Sequence, residues 1–125
     1  MYKTTITESS RDFTKREGLK MCDTTDAIKM DAFIAEHGDF EITPVEYAVV
    51  HIENDRAENQ EYYVYLIIDE KGDKYVTGSE SFWNSFMDIW SLMDGQSEDE
   101  LWSLRVYTRP SKNRQGKYFI TCSIV

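Results

Sequence analysis

Apolar and polar positions alternate most regularly in two stretches of the chain. Between Glu61 and Asp69, Val64, Leu66 and Ile68 alternate with Tyr63, Tyr65 and Ile67. Between Leu104 and Ile124, one face carries Leu104, Val106, Tyr118, Ile120, Cys122 and Ile124. The other carries Arg105, Tyr107, Arg109, Lys117 and Phe119. A period of two is that of a strand with one buried face. The first stretch predicts a strand over Glu61–Asp69 that turns through Gly72 into another at Lys74–Thr77. The second predicts a hairpin whose strands join through Pro110–Gly116. Upstream, Ile42, Val45, Tyr47, Val49, Val50 and Ile52 predict one strand over Phe40–Glu53, with Pro44 tolerable near its start or at an edge. A polar loop, Asn54–Gln60, follows it.

The period changes to a helical one after Gly78-Ser79-Glu80-Ser81, where either serine can accept from the free amides of a first turn. Phe82, Phe86, Ile89, Trp90 and Met93 then recur at helical spacing as a buried stripe, with Trp83 and Met87 one position round, at a rim. Gly95 marks the stop. A shorter helix is predicted from the capping residues Thr24-Thr25-Asp26 to His37-Gly38, with Ile28, Met30, Phe33 and Ile34 inside it. Residues 1–20 are rich in Thr, Ser and charge, and predict a flexible N-terminal segment before a single domain over 21–125.

Charge alters this picture at the terminal hairpin. All 23 carboxylates lie within residues 1–100, against nine basic residues, a balance of −14. Residues 101–125 carry only Arg105, Arg109, Lys112, Arg114 and Lys117, a balance of +5. Cations interleaved with exposed rings suit a single-stranded nucleic acid, whose phosphates take the charge and whose unstacked bases lie on the rings. A hairpin whose edge is guarded by Lys and Arg against strand pairing has the same look. The acidic remainder opposes a polyanion at long range. It also suits a different class of protein, an acidic phage-type mimic of nucleic acid that blocks a host nucleic-acid-binding protein.

The order β-β-β-α-β-β, after a short N-terminal helix, predicts a mainly β fold. It is the order of the OB-fold, a five-stranded Greek-key barrel with a helix between strands 3 and 4. Its second and third strands, and the loops joining strands 1–2 and 4–5, bind oligonucleotides. The stretches Tyr75-Val-Thr-Gly-Ser-Glu-Ser-Phe82 and Arg109-Pro-Ser-Lys-Asn-Arg-Gln-Gly-Lys-Tyr-Phe119 also resemble small OB-fold single-stranded DNA-binding proteins of bacteriophages and conjugative elements. That resemblance covers residues 40–125 and implies coating of single strands during replication or recombination, without catalysis. The bacterial replicative proteins usually end in a disordered acidic tail, whereas Thr121–Val125 reads as strand.

The expected interface places Arg105, Arg109, Lys112, Arg114 and Lys117 on phosphates, with Tyr63, Tyr65, Tyr75, Tyr107 and Phe119 as stacking candidates. RNA fits the same chemistry, and self-association fits the end of the last strand or the rim of Trp83 and Met87. Signatures of zinc hydrolases and deaminases, nucleotide triphosphatases, serine hydrolases and EF-hands are absent, so neither an enzyme nor a cofactor is expected. With His37 and His51 the only histidines, a His-rich metal site is excluded, and Asp69, Glu70 and Asp73 read as turn chemistry. Cys22 and Cys122, 100 residues apart, read as reduced thiols. No stretch has the length of a membrane span or the pattern of a signal peptide, so a cytosolic protein with no membrane partner is expected.

Overall fold

A computed structural model describes residues 2–54, 61–112 and 116–125, with Tyr2 described by its backbone alone. The elements in chain order are β1 (Tyr2–Ser9), α1 (Lys15–Cys22), β2 (Ile28–Lys29), α2 (Met30–His37), β3 (Phe40–Ile42), β4 (Pro44–Asn54), β5 (Glu61–Asp69), β6 (Lys74–Thr77), α3 (Glu80–Leu92), β7 (Leu104–Pro110) and β8 (Tyr118–Ile124). The fold is mainly β, with strands in two sheets: a larger one ordered β1-β4-β5-β6-β2 and a smaller one ordered β3-β7-β8.

The strand expected over 40–53 belongs to both sheets. Proline has no N–H for a ladder and is tolerated at a strand's first residue, and Pro44 opens β4 while Thr43 separates it from β3. β3 pairs with β7, whereas β4 pairs with β1 and β5. At the break, the hydroxyls of Thr43 and Ser103 share a hydrogen bond of 2.6 Å. Nearby, the Gln96 side chain donates to the carbonyls of Pro44 and Trp102 at 2.7 and 3.0 Å and accepts from the Trp102 amide at 3.0 Å.

The five-stranded barrel expected from the element order is corrected by this pairing, which leaves two sheets and no closed barrel among the described strands. β6 gives its second edge to the short parallel strand β2. β8 ends the smaller sheet, with α3 lying along it. The edges that would have to meet are therefore taken by other elements.

The expected flexible segment at 1–20 is also corrected. β1 pairs with β4 from Tyr2↔Asn54 to Ser9↔Ala48, with an irregularity between Ile6 and Glu8. Thr14 caps α1 in a reciprocal box: its hydroxyl accepts from the Glu17 amide at 3.2 Å, and the Glu17 carboxylate accepts from the Thr14 amide at 3.0 Å. The far end of α1 is closed by Lys74 of β6, whose ammonium donates to the carbonyls of Lys20 and, at 2.7 Å, Asp23. Burial holds the Lys74 ammonium below its usual pKa. Two orphan helix ends, each costly if unsatisfied, are thus met by side chains, one of them from a distant strand.

α2 begins later than expected. Lys29, not a side-chain capper, precedes it, because Ile28 and Lys29 are drawn into parallel pairing with Tyr75 and Val76. It ends as expected at Gly38, whose φ of 80° suits glycine. In the β5–β6 turn, the Asp69 carboxylate accepts from the amides of Lys71 and Asp73 at 3.0 and 2.9 Å, the backbone bonding of an Asx turn.

Apolar residues cover both faces of the larger sheet. Tyr47, Val49, Ile67 and Tyr75 face the main core with Phe82, Trp83 and Phe86 of α3 and Leu104, Val106, Ile120 and Cys122 of the smaller sheet. Ala48, Val50, Ile52 and Leu66 face the opposite side, under Met21 of α1. α3 is capped by Ser79, which accepts from the Phe82 amide at 3.2 Å. Phe82 and Phe86 are fully buried, each contributing about 1.5–3 kcal/mol by leaving water. The stripe differs from the expected one at two positions: Trp83, placed at a rim by the pattern, is buried, and Met93 is exposed. Tyr47 and Tyr65 account for the burial of Trp83, because both rings pack on it, at 5.5 and 4.9 Å between centroids.

Candidate nucleic-acid interface

The β7–β8 hairpin divides into a docked half and a projecting half. Near the core, Leu104, Val106, Ile120 and Cys122 are buried on one face, and burial pushes the Cys122 thiol up to about 12. On the other face, Thr121 is also buried, because its hydroxyl meets that of Ser85 of α3 at 2.9 Å. Beyond this point Thr108, Arg109, Pro110, Lys112, Gly116, Lys117, Tyr118 and Phe119 are exposed on both strands.

Arg105 and Tyr107 belong to the docked half and are already engaged. Arg105 donates to Asp39 at 2.7 Å, and its guanidinium carbon lies 4.7 Å from the centre of the Tyr107 ring. The Tyr107 hydroxyl shares a hydrogen bond with Ser123 at 2.8 Å. One face of this ring is therefore occupied by an arginine, and its polar end is fixed.

Arg109, Lys112, Lys117 and Phe119 lie in the projecting half, with Arg109 directly across the ladder from Phe119. Arg114 lies outside the described residues. Tyr118 joins this group although the alternation assigns it to the core face: it pairs with Pro110, past the last core residue, and is 70% exposed. Ile124, likewise assigned inward, is half exposed at the other end of β8. Arg109, Lys112, Lys117, Tyr118 and Phe119 make no side-chain hydrogen bond, ion pair or ring contact with the described residues.

The three tyrosines expected as further platforms belong to the larger sheet and do not form a set. Tyr75 is a correction: it is buried in the main core against Phe40, and desolvation raises its phenol above the usual value. Tyr65 is half-buried, stacked on Trp83 at an interplanar angle of 12°. Of the three, Tyr63 alone is well exposed, with its ring 4.9 Å from that of His51. In β5 the outward and inward positions both bear rings, so composition offers no contrast from which to choose between them.

None of the helices among the described residues is long and apolar enough to cross a membrane. Comparison with protein-family models, with curated proteins and with solved structures finds no match to this chain.

Proposed function

We propose that this protein binds single-stranded DNA without catalysis, through the projecting half of its terminal hairpin. The observation that carries the reading is the group Arg109, Lys112, Lys117, Tyr118 and Phe119: three cations and two rings, exposed together and free of partners among the described residues. Arg11 and Arg105 are held by carboxylates, whereas Lys3, Lys15 and Lys29, like these three, form no ion pair with the described residues. What sets these three apart is their place together, beside two exposed rings, in a segment that holds no acidic residue. Phosphate charge and base stacking are the two contacts a single strand offers irrespective of sequence, and both are provided within one turn of hairpin.

A partly open Greek-key arrangement of the OB type is supported by the path of the chain. The divided strand 40–54 pairs through β4 with β5 and through β3 with β7, so meander and hairpin are hung from one strand. On that reading, the segment between β7 and β8 takes the place of the loop joining strands 4 and 5, one of the two that bind oligonucleotides in that fold. Coating of single strands in phage or mobile-element replication or recombination follows from the same reading.

The test is fluorescence anisotropy with labelled single-stranded DNA, the matching duplex and the matching RNA, over a range of salt. Single-stranded DNA is expected to bind most tightly, with log affinity falling by about 0.7 per neutralised phosphate for each decade of salt. Binding to duplex as tight as to single strands at low salt overturns the proposal. RNA bound more tightly than DNA overturns the choice of ligand.

A further inference from the structure

A second cluster of chemistry lies away from the hairpin, where β4 and β5 run toward their connection. His51 stands opposite Tyr63, and Glu53 opposite Glu61, in the antiparallel register. A period of two places all four side chains on one face of the larger sheet, the face that carries Val49 and Tyr65 further along. Nδ1 of His51 is 3.6 Å from Oε1 of Glu53. One donor atom from each of His51, Glu53 and Glu61 lies within 4.8 Å of the others.

Two carboxylates directly opposite one another across a ladder repel. Lys3, the partner of Glu53 on β1, is exposed and forms no ion pair with the described residues. The imidazole is held differently from the glutamates. Its side chain is only 19% exposed, against 42% for Glu53, and it rests against the Tyr63 ring. The arrangement is thus a fixed nitrogen donor with two oxygen donors that adjust around it, on paired strands rather than on a loop.

We propose that His51, Glu53 and Glu61 bind a divalent transition-metal ion of the zinc class. One imidazole with two carboxylates is a donor set for zinc and its neighbours rather than for calcium or magnesium, which take oxygen alone. Bonds of about 2.0–2.2 Å to nitrogen and oxygen put tetrahedral donors roughly 3.3 Å apart. The His51–Glu53 pair is already close to that spacing, and Glu61 reaches it by rotation about its side-chain bonds. Three protein donors leave one position for water or for an anionic group. The ion also removes the repulsion that the strand pair otherwise bears.

The test is isothermal titration of the chelator-treated full chain with zinc chloride, alongside thermal melting with and without zinc. Zinc is expected to bind and to raise the melting temperature. His51→Gln, Glu53→Gln and Glu61→Gln, each shown by circular dichroism to be folded, are expected to bind at least about tenfold more weakly. In the absence of metal, Glu61→Gln is expected to melt no lower than the parent, since it relieves the opposed charges. Cobalt in place of zinc is expected to give ligand-field bands without a thiolate charge-transfer band, which separates this site from Cys22. Absence of binding by the parent protein overturns the proposal. So does zinc affinity unchanged in the three variants, or a thiolate band with cobalt.

Discussion

Arg105 of β7 donates to Asp39, 66 residues earlier in the chain, at 2.7 Å, and both side chains are about half exposed. The pair neutralises one of the cations of the terminal segment before any ligand arrives. A phosphate at Arg105 has to displace a carboxylate, whereas Arg109 has no partner to give up among the described residues. Asp39→Asn frees Arg105, and single-stranded DNA is expected to bind a few-fold more tightly to that variant, with the salt slope steeper by up to about 0.7. Arg105→Ala is expected to cost less affinity than Arg109→Ala. Anisotropy titrations at several salt concentrations measure both, and equal losses would place Arg105 in the interface on the same footing as the tip.

Charge and stacking at the tip separate by their salt dependence. Lys112→Ala and Lys117→Ala are expected to weaken binding of all sequences about equally and to flatten the salt slope by about 0.7 for each phosphate left without its cation. Tyr118→Ala and Phe119→Ala are expected to cost roughly 1–3 kcal/mol each with the slope unchanged. Since both rings are exposed, the melting temperature should move little in either. A folded Lys112→Ala, Lys117→Ala double variant with unaltered affinity and slope would show that the hairpin cations merely guard an edge.

Tyr75→Ala serves as the opposite control. The ring is 8% exposed and packed on Phe40, so its loss is expected to cost about 3–5 kcal/mol of stability by urea denaturation, as for other large aromatic truncations. Any variant molecules that remain folded should bind DNA normally. Loss of DNA affinity without loss of stability would return Tyr75 to the interface.

Acid should reveal the Arg11 junction. Arg11 donates to Glu17 of α1 and to Glu46 of β4 at 2.7 and 3.0 Å. The guanidinium, with the Thr14 amide, holds the Glu17 carboxyl at about 2 against an ordinary 4.5. Because the folded value lies below the unfolded one, this stabilisation is complete above about pH 4.5 and is lost as pH falls toward 2. Glu17→Gln is therefore expected to lose less stability than the parent over that window and to be the less stable of the two at neutral pH. Added salt should shrink the difference, since the groups are exposed. Parallel pH curves for the two proteins would show that the junction contributes nothing.

The parts of the fold that are legible in the sequence are those where one kind of contrast dominates. β5 and β6 run over Glu61–Asp69 and Lys74–Thr77, as the pattern predicts, and α3 starts after Ser79, where a cap is expected. β1 is illegible because Thr4, Thr5 and Thr7 surround a single apolar residue, Ile6, which gives no inward face to recognise. α1 has a readable signal, the Thr14-Lys-Arg-Glu17 spacing of a capping box, but almost no apolar stripe to support it. Its last turn is secured by Lys74, which no local window includes. At the hairpin, alternation distinguishes the two faces correctly near Val106 and Cys122 but does not indicate where the core stops. It therefore misplaces Tyr118, and it leaves Arg105 looking free because Asp39 is remote in sequence.

The division of strand 40–54 at Thr43 also bears on the order in which the molecule assembles. The β4-β5-β6 meander joins neighbours in sequence, so its pairing closes short loops. The smaller sheet cannot form until β7 returns to β3, a closure marked by Thr43 and Ser103, 60 residues apart. Loop-closure entropy has to be met before such a contact contributes, so the docking of the β7–β8 hairpin on β3 is expected to come last. A nascent chain would then seat its candidate ligand-binding hairpin only after β8 has been synthesised, with the larger sheet already standing as the template on which it docks.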